Sequence, residues 1–166
     1  MIIKDLSLPA DYQSMPNIII ITGGAIIISI ISGCSANRPD NLGLKNNLLA
    51  PCPKTPNCVS SQTNDLRHQI APITYEGSLG LAKERLNQVI LSMRDTKIIT
   101  QNHEYWHVEF TTLLLRFIDD VEIYFEESKA VIHVRSASRL GYWDLGVNRR
   151  RVERIRSRFE ELAKAG

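Results

Sequence analysis

His107, Asp119, Asp120, Glu122 and His133 stand close together in the second half of this chain. An imidazole beside a carboxylate can take up and return a proton, so His107, Asp120, Glu122 and His133 form a candidate acid–base group. Asp119, Asp120 and Glu122 are also hard oxygen donors of the kind that calcium or magnesium accepts. No nucleophile motif accompanies either set. A second group is basic: "RSASRLGYWDLGVNRRRVERIR" runs from Arg135 to Arg156. Its candidate ligand-binding residues are Arg135, Arg139, Arg149, Arg150 and Arg151, because guanidinium groups fork onto carboxylates and phosphates. The segment Gly141 to Gly146 is not a phosphate loop, since it lacks the Lys-Ser/Thr ending.

Charge distribution offers a plainer role for the arginines. The chain of 166 residues carries a net charge of only +2, too little for a general nucleic-acid binder. From Glu104 to Glu127 the net charge is −6, and from Arg135 to Arg158 it is +6. Equal and opposite segments imply that many of these arginines face the chain's own carboxylates. That internal network is the favoured reading, with an anion pocket as its rival.

The positioning elements follow from periodicity. Leu79, Ala82, Leu86, Val89, Ile90 and Met93 recur at three and four, which predicts an amphipathic helix capped by Ser78. Residues 97–101 and 104–111 read as strands, with Trp106, Val108 and Phe110 on one face. Val121, Ile123 and Phe125 form the apolar face of the next strand, and Ala130, Ile132 and Val134 that of its hairpin partner. Alternation sends Asp119 to the face opposite Asp120 and Glu122, so one metal ion cannot easily take all three. Matching the apolar faces pairs Phe125 with Ala130, Val121 with Val134, Glu122 with His133 and Asp120 with Arg135. Asn148 is the expected cap of a last helix with the stripe Val152, Ile155, Phe159 and Leu162. Arg149 to Arg151 then occupy its first turn, where the helix dipole prefers anions. The predicted fold is α+β: an antiparallel sheet of about four to five strands with two helices packed on one face, the other face polar.

Location is read from the N-terminus. Ile18 to Gly33 is an uncharged, isoleucine-rich run ending in "ISGC". It suits a signal-peptide hydrophobic region and resembles a bacterial lipobox, with Cys34 as the lipidated residue. The alternative is an uncleaved transmembrane anchor; both place the remainder outside the cytoplasm. Ser35 after the cysteine points to the outer membrane where two membranes exist. Lipidation of Cys34 leaves Cys52 and Cys58 as an even pair, read as a local disulfide. A zinc site using both thiolates and His68 is the competing reading, short of a fourth ligand. The expected division is 1–33 signal peptide or anchor, 34–50 tether and 51–166 a single domain. No metal or cofactor is expected.

"CPKTPNCVSSQ", "RFIDDVEIYF" and "VRSASRLGYWDLGVNRRRVERIR" together resemble the family catalogued as domain of unknown function 1499. The likeness covers roughly Pro51 to Leu162. Members are often bacterial lipoproteins or membrane-associated proteins, and the resemblance brings no catalytic residues with it. The expected function is a membrane-anchored, exported domain that binds an anionic small molecule or an envelope protein, not nucleic acid. The rivals are an envelope enzyme using the His/carboxylate sheet face and a purely structural envelope lipoprotein.

Overall fold

A computed structural model of the chain describes residues 37–113 and 116–165. Among the described residues the chain forms six strands and two α-helices. In chain order these are β1 (Cys58–Ser60), β2 (Ile73–Thr74), α1 (Leu79–Ser92), β3 (Thr96–Gln101), β4 (Tyr105–Thr111), β5 (Ile118–Glu126), β6 (Val131–Ser138) and α2 (Val147–Ala165). All the strands belong to one antiparallel sheet of order β1-β6-β5-β4-β3, with β2 also pairing β6. The α+β prediction holds, with one strand more than the upper expectation. The strands missing from the sequence reading are β1 and β2, which at three and two residues are too short to show a period.

Side chains that alternate along the central strands build the core. Trp106, Val108 and Phe110 from β4, Val121, Ile123 and Phe125 from β5, and Ile132 and Val134 from β6 share one face. Leu86, Val89 and Ile90 of α1 and Val152, Ile155 and Phe159 of α2 cover that face. Each such side chain contributes about 1.5–3 kcal/mol by leaving water. Ser78 caps α1 by accepting from the Leu81 amide, as its sequence position predicts.

Two sequence expectations need correction. The β5–β6 hairpin does not pair Phe125 with Ala130. A 3₁₀ turn over Glu127–Lys129 ends at Ala130, whose φ of 50° is left-handed. The turn therefore takes up Ala130, and the first pair is Glu126 with Val131. Val121 then faces Ser136, and Arg135 faces Glu122 instead of Asp120. The slip is two residues, so every side chain keeps its predicted face while exchanging its neighbour. The other correction concerns the start of α2. Asn148 lies inside the helix, and Asp144 caps it by accepting from the Gly146 and Asn148 amides, both at 2.8 Å.

Residues 37–50, aperiodic and read as a tether, include a segment lying on the second face of the sheet. Leu49 is buried with Tyr105 and Tyr124, and Leu44 packs against them. The sheet thus has two covered faces, and that is why β5 is buried along seven of its nine residues.

Candidate functional site

The polar face of the sheet holds a closed charge network. Glu122 is 0% exposed. Its Oε2 accepts from Arg135 Nη1 at 2.8 Å, and its Oε1 accepts from the Tyr105 hydroxyl at 2.9 Å and the Gly43 amide at 2.8 Å. Arg135 meets Glu122 through Nη1 alone, and its buried Nε has no partner among the described residues. Two residues along β5, Asp120 takes Arg139 Nε at 2.8 Å and Nη2 at 2.6 Å, and pairs with His107 Nε2 at 2.7 Å. Glu109 bridges Arg139 to Arg38.

Burial pushes the Asp120 carboxyl upward, but Arg139 and His107 outweigh it and hold the group below the usual carboxylate range. Glu109 follows the same pattern: burial raises it, and Arg38 and Arg139 win. Burial, with Glu122 beside it, pushes the Tyr105 phenol upward, so that it remains a hydrogen-bond donor. Ligand atoms of His107, Glu109 and Asp120 lie close enough together for a metal ion. Arg139, however, already bonds both carboxylates, and a second cation there would meet its positive charge.

His133 does not join this group. Its Nε2 lies 2.9 Å from Glu126 and its Nδ1 3.1 Å from the Ser61 hydroxyl, and its ring stacks on Tyr124. The candidate acid–base set is therefore divided: His107, Asp120 and Glu122 are neighbours inside, and His133 sits further along the sheet.

A second network lies on the helix side. Asp119 projects toward α2, as alternation predicts, and forms a very short contact with Arg151. Arg151 also donates to Asn148 Oδ1 at 2.7 Å and lies over the Phe110 ring. Asn148 in turn bonds Ser136, Ser138, Asp144 and the Asn57 carbonyl. This explains part of the odd charge at the start of α2. The anion at its amides is Asp144, and the anion for Arg151 is Asp119. Arg149 donates to the carbonyls of Gln69 and Arg67, which staples the loop after β1 to the helix. Cys52 and Cys58 form a disulfide. Both thiols of the zinc reading are thereby consumed, and His68 Nδ1 lies 2.8 Å from the Cys58 carbonyl.

What remains open is a groove of about 450 Å³ between the end of α1 and the first half of α2. Arg94, Arg150, Arg151, Arg154 and Arg158 line it around Phe110 and Val147, and no carboxylate is among its lining residues. Arg150, Arg154 and Arg158 are spaced at four, which puts them on one helix face. Arg158 reaches the Ser92 hydroxyl at 2.9 Å and Arg150 the Leu145 carbonyl at 2.8 Å. Arg94 and Arg154 have no hydrogen-bond or ion-pair partner among the described residues.

Residues 48–159 match the family described as "Protein of unknown function (DUF1499)". The chain belongs to the DUF1499 family. No curated protein matches it. The DUF1499 match spans both charge networks except Arg38 and Gly43, and it spans the whole arginine groove. Arg38, Gly43 and Leu44 of the segment that closes the second sheet face precede the matched residues.

Sequence reading of this DUF1499 domain missed Arg94, Arg154 and Arg158 as groove residues. The signal was present for two of them: Arg150, Arg154 and Arg158 repeat at four on a helix that the apolar stripe already predicts. Arg94 joins only because α1 ends against α2, which no local pattern reveals. The apolar run 18–33 and Cys34 lie outside the described residues. Among the described residues no helix is long and apolar enough to cross a membrane.

Proposed function

We propose that this chain is an exported, membrane-anchored binding protein whose arginine groove holds a phosphate- or carboxylate-bearing ligand. The observation that carries the reading is the groove itself, where five arginines converge without a lining carboxylate. The molecule neutralises its buried guanidinium groups, as Glu122 does for Arg135, Asp120 for Arg139 and Asp119 for Arg151, but Arg94 and Arg154 of the groove have no such partner among the described residues. Like charges at i, i+4 destabilise a helix by about 0.2–0.5 kcal/mol per pair, and an anion in the groove would reverse that sign. Phe110 and Val147 add an apolar floor, which lowers the local dielectric and strengthens each charge-assisted contact. Binding is better supported than acid–base catalysis. Both Asp120 oxygens and both Glu122 oxygens already accept from the protein, and His107 is buried beneath the covering segment.

Thermal unfolding of the full chain in detergent tests the site, because a ligand that binds only the folded state raises Tm by mass action. Inorganic phosphate is expected to raise the Tm of wild type, and the double change Arg150→Gln, Arg154→Gln to abolish the rise. An equal rise in both proteins, or none in wild type, rejects the groove as an anion site. The anchor is read separately by the mass of the N-terminus in the membrane fraction. Acylated Cys34 is expected, and an intact segment 18–33 would establish the transmembrane alternative.

A further inference from the structure

Beside the arginine groove lies a second cavity of about 330 Å³, and Val147 lines both. Its walls include Phe117, Leu140, Trp143 and Leu145. The rim is unusually apolar for a surface. Tyr142, Trp143 and Leu145 are 72%, 65% and 62% exposed, and Leu113, next to the cavity residue Thr112, is 74% exposed. Such patches mark interaction sites. Trp and Tyr in particular favour the boundary between lipid headgroups and acyl chains.

The path of the chain points to what covers this patch. Arg38 is bonded to Glu109, which is bonded to Arg139, and Leu140 of the apolar cavity follows directly. The Arg139 amide donates to the Ile118 carbonyl, which places this whole group at the end of the sheet where β5 starts and β6 ends. Only three residues separate Cys34, the expected site of acylation, from Arg38. A chain rises at most about 3.6 Å per residue, so a bilayer holding acylated Cys34 would lie within roughly 14 Å of Arg38. An acyl anchor at Cys34 would therefore hold near lipid the end of the domain that carries the exposed tryptophan.

We infer that the loop from Leu140 to Leu145 and the arginine row of α2 together form a docking surface for an anionic phospholipid bilayer. Trp143, Tyr142 and Leu145 enter the interfacial layer, and Arg150, Arg154 and Arg94 meet headgroup phosphates. This rests on the reading of the groove as an anion site and assigns its phosphate to a lipid. Charge complementarity selects anionic lipid over neutral lipid. The apolar loop distinguishes a membrane from a soluble phosphate, which would leave Trp143 in water.

Trp143 supplies its own reporter. The only other tryptophan, Trp106, is 3% exposed and packs edge-on against Phe125. The full chain is carried in vesicles of phosphatidylcholine, with or without phosphatidylglycerol, whose acyl chains are brominated to quench nearby indoles. Quenching is expected in the anionic vesicles, and raising salt to ~1 M, where the screening length is about 3 Å, should reverse much of it. Arg150→Gln with Arg154→Gln should reduce quenching to the level of neutral vesicles. Leu145→Ser should lose quenching yet keep the Tm rise with inorganic phosphate. Equal quenching in both lipids, or none in either, overturns the docking surface. If phosphate still raises Tm in that case, the groove binds a soluble anion; if it does not, the anion site falls as well.

Discussion

On the second face of the sheet, Glu122 is 0% exposed and accepts from three donors. Along α2, Arg154 is exposed and meets no partner among the described residues. Both regions are dense in charge, yet the first is closed by its own chain and the second is left open. Buried charges need complete partners, because an unpaired charge in a low dielectric costs far more than an exposed one. An exposed guanidinium has no such need, and a row of them persists at small cost. The contrast assigns stability to the sheet network and ligand contact to the helix row.

The strongest test removes a partner from the closed network. Glu122→Gln leaves Arg135 charged and buried, and loss of one member of a buried pair costs about 3–5 kcal/mol. Urea denaturation should show this as a lower midpoint. Replacing both residues, Glu122→Leu with Arg135→Met, should recover part of the loss. A change below about 0.5 kcal/mol, the range of ordinary surface substitutions, would show that the network is not structural.

Acid provides the intermediate test. Asp120 and Glu109 are held below their ordinary values in the folded state. A lowered folded pKa contributes stability that is fully present above the unfolded value and is lost as pH falls through the folded one. Unfolded carboxylates titrate near about 4, so the urea midpoint should fall as pH drops from about there downward. Asp120→Asn should start less stable and lose less on acidification. An acid slope unchanged by that substitution would remove Asp120 from the linkage.

The smallest effect is expected along the open row. Arg154→Gln should change stability by no more than about 0.5 kcal/mol, and relief of like-charge neighbours at i, i+4 favours a slight gain. Stability measured without phosphate separates this from ligand linkage. A loss comparable to that of Glu122→Gln would erase the distinction between the two regions.

Alternation in β4, β5 and β6 was legible without any structure, because a period of two is set by the backbone itself. It put Val121 and Ile123 toward the helices, Asp119 with them, and Asp120 and Glu122 behind. It could not supply the partner of Glu122, since a register slip of two residues preserves every face. That choice was made by a turn that absorbs Ala130. Nor could alternation show that the segment containing Arg38, Gly43 and Leu49 closes the polar face, because such a cover has no period of its own.

The disulfide between Cys52 and Cys58 was one of two readings until the structure showed it, while the sequence by itself determined the fold class, the two helices and the charge balance. These depend on backbone geometry, nearest-neighbour spacing and composition, all of which act locally. Only the tertiary structure decided which arginines are spent and which are open. Arg135, Arg139 and Arg151 are satisfied by carboxylates brought to them by strand pairing and helix docking. Arg94 reaches Arg154 across 60 residues of chain only because α1 and α2 pack on the same sheet face. Ion pairing depends on distance in space, and in this chain that distance is set by the register and by the packing of the helices.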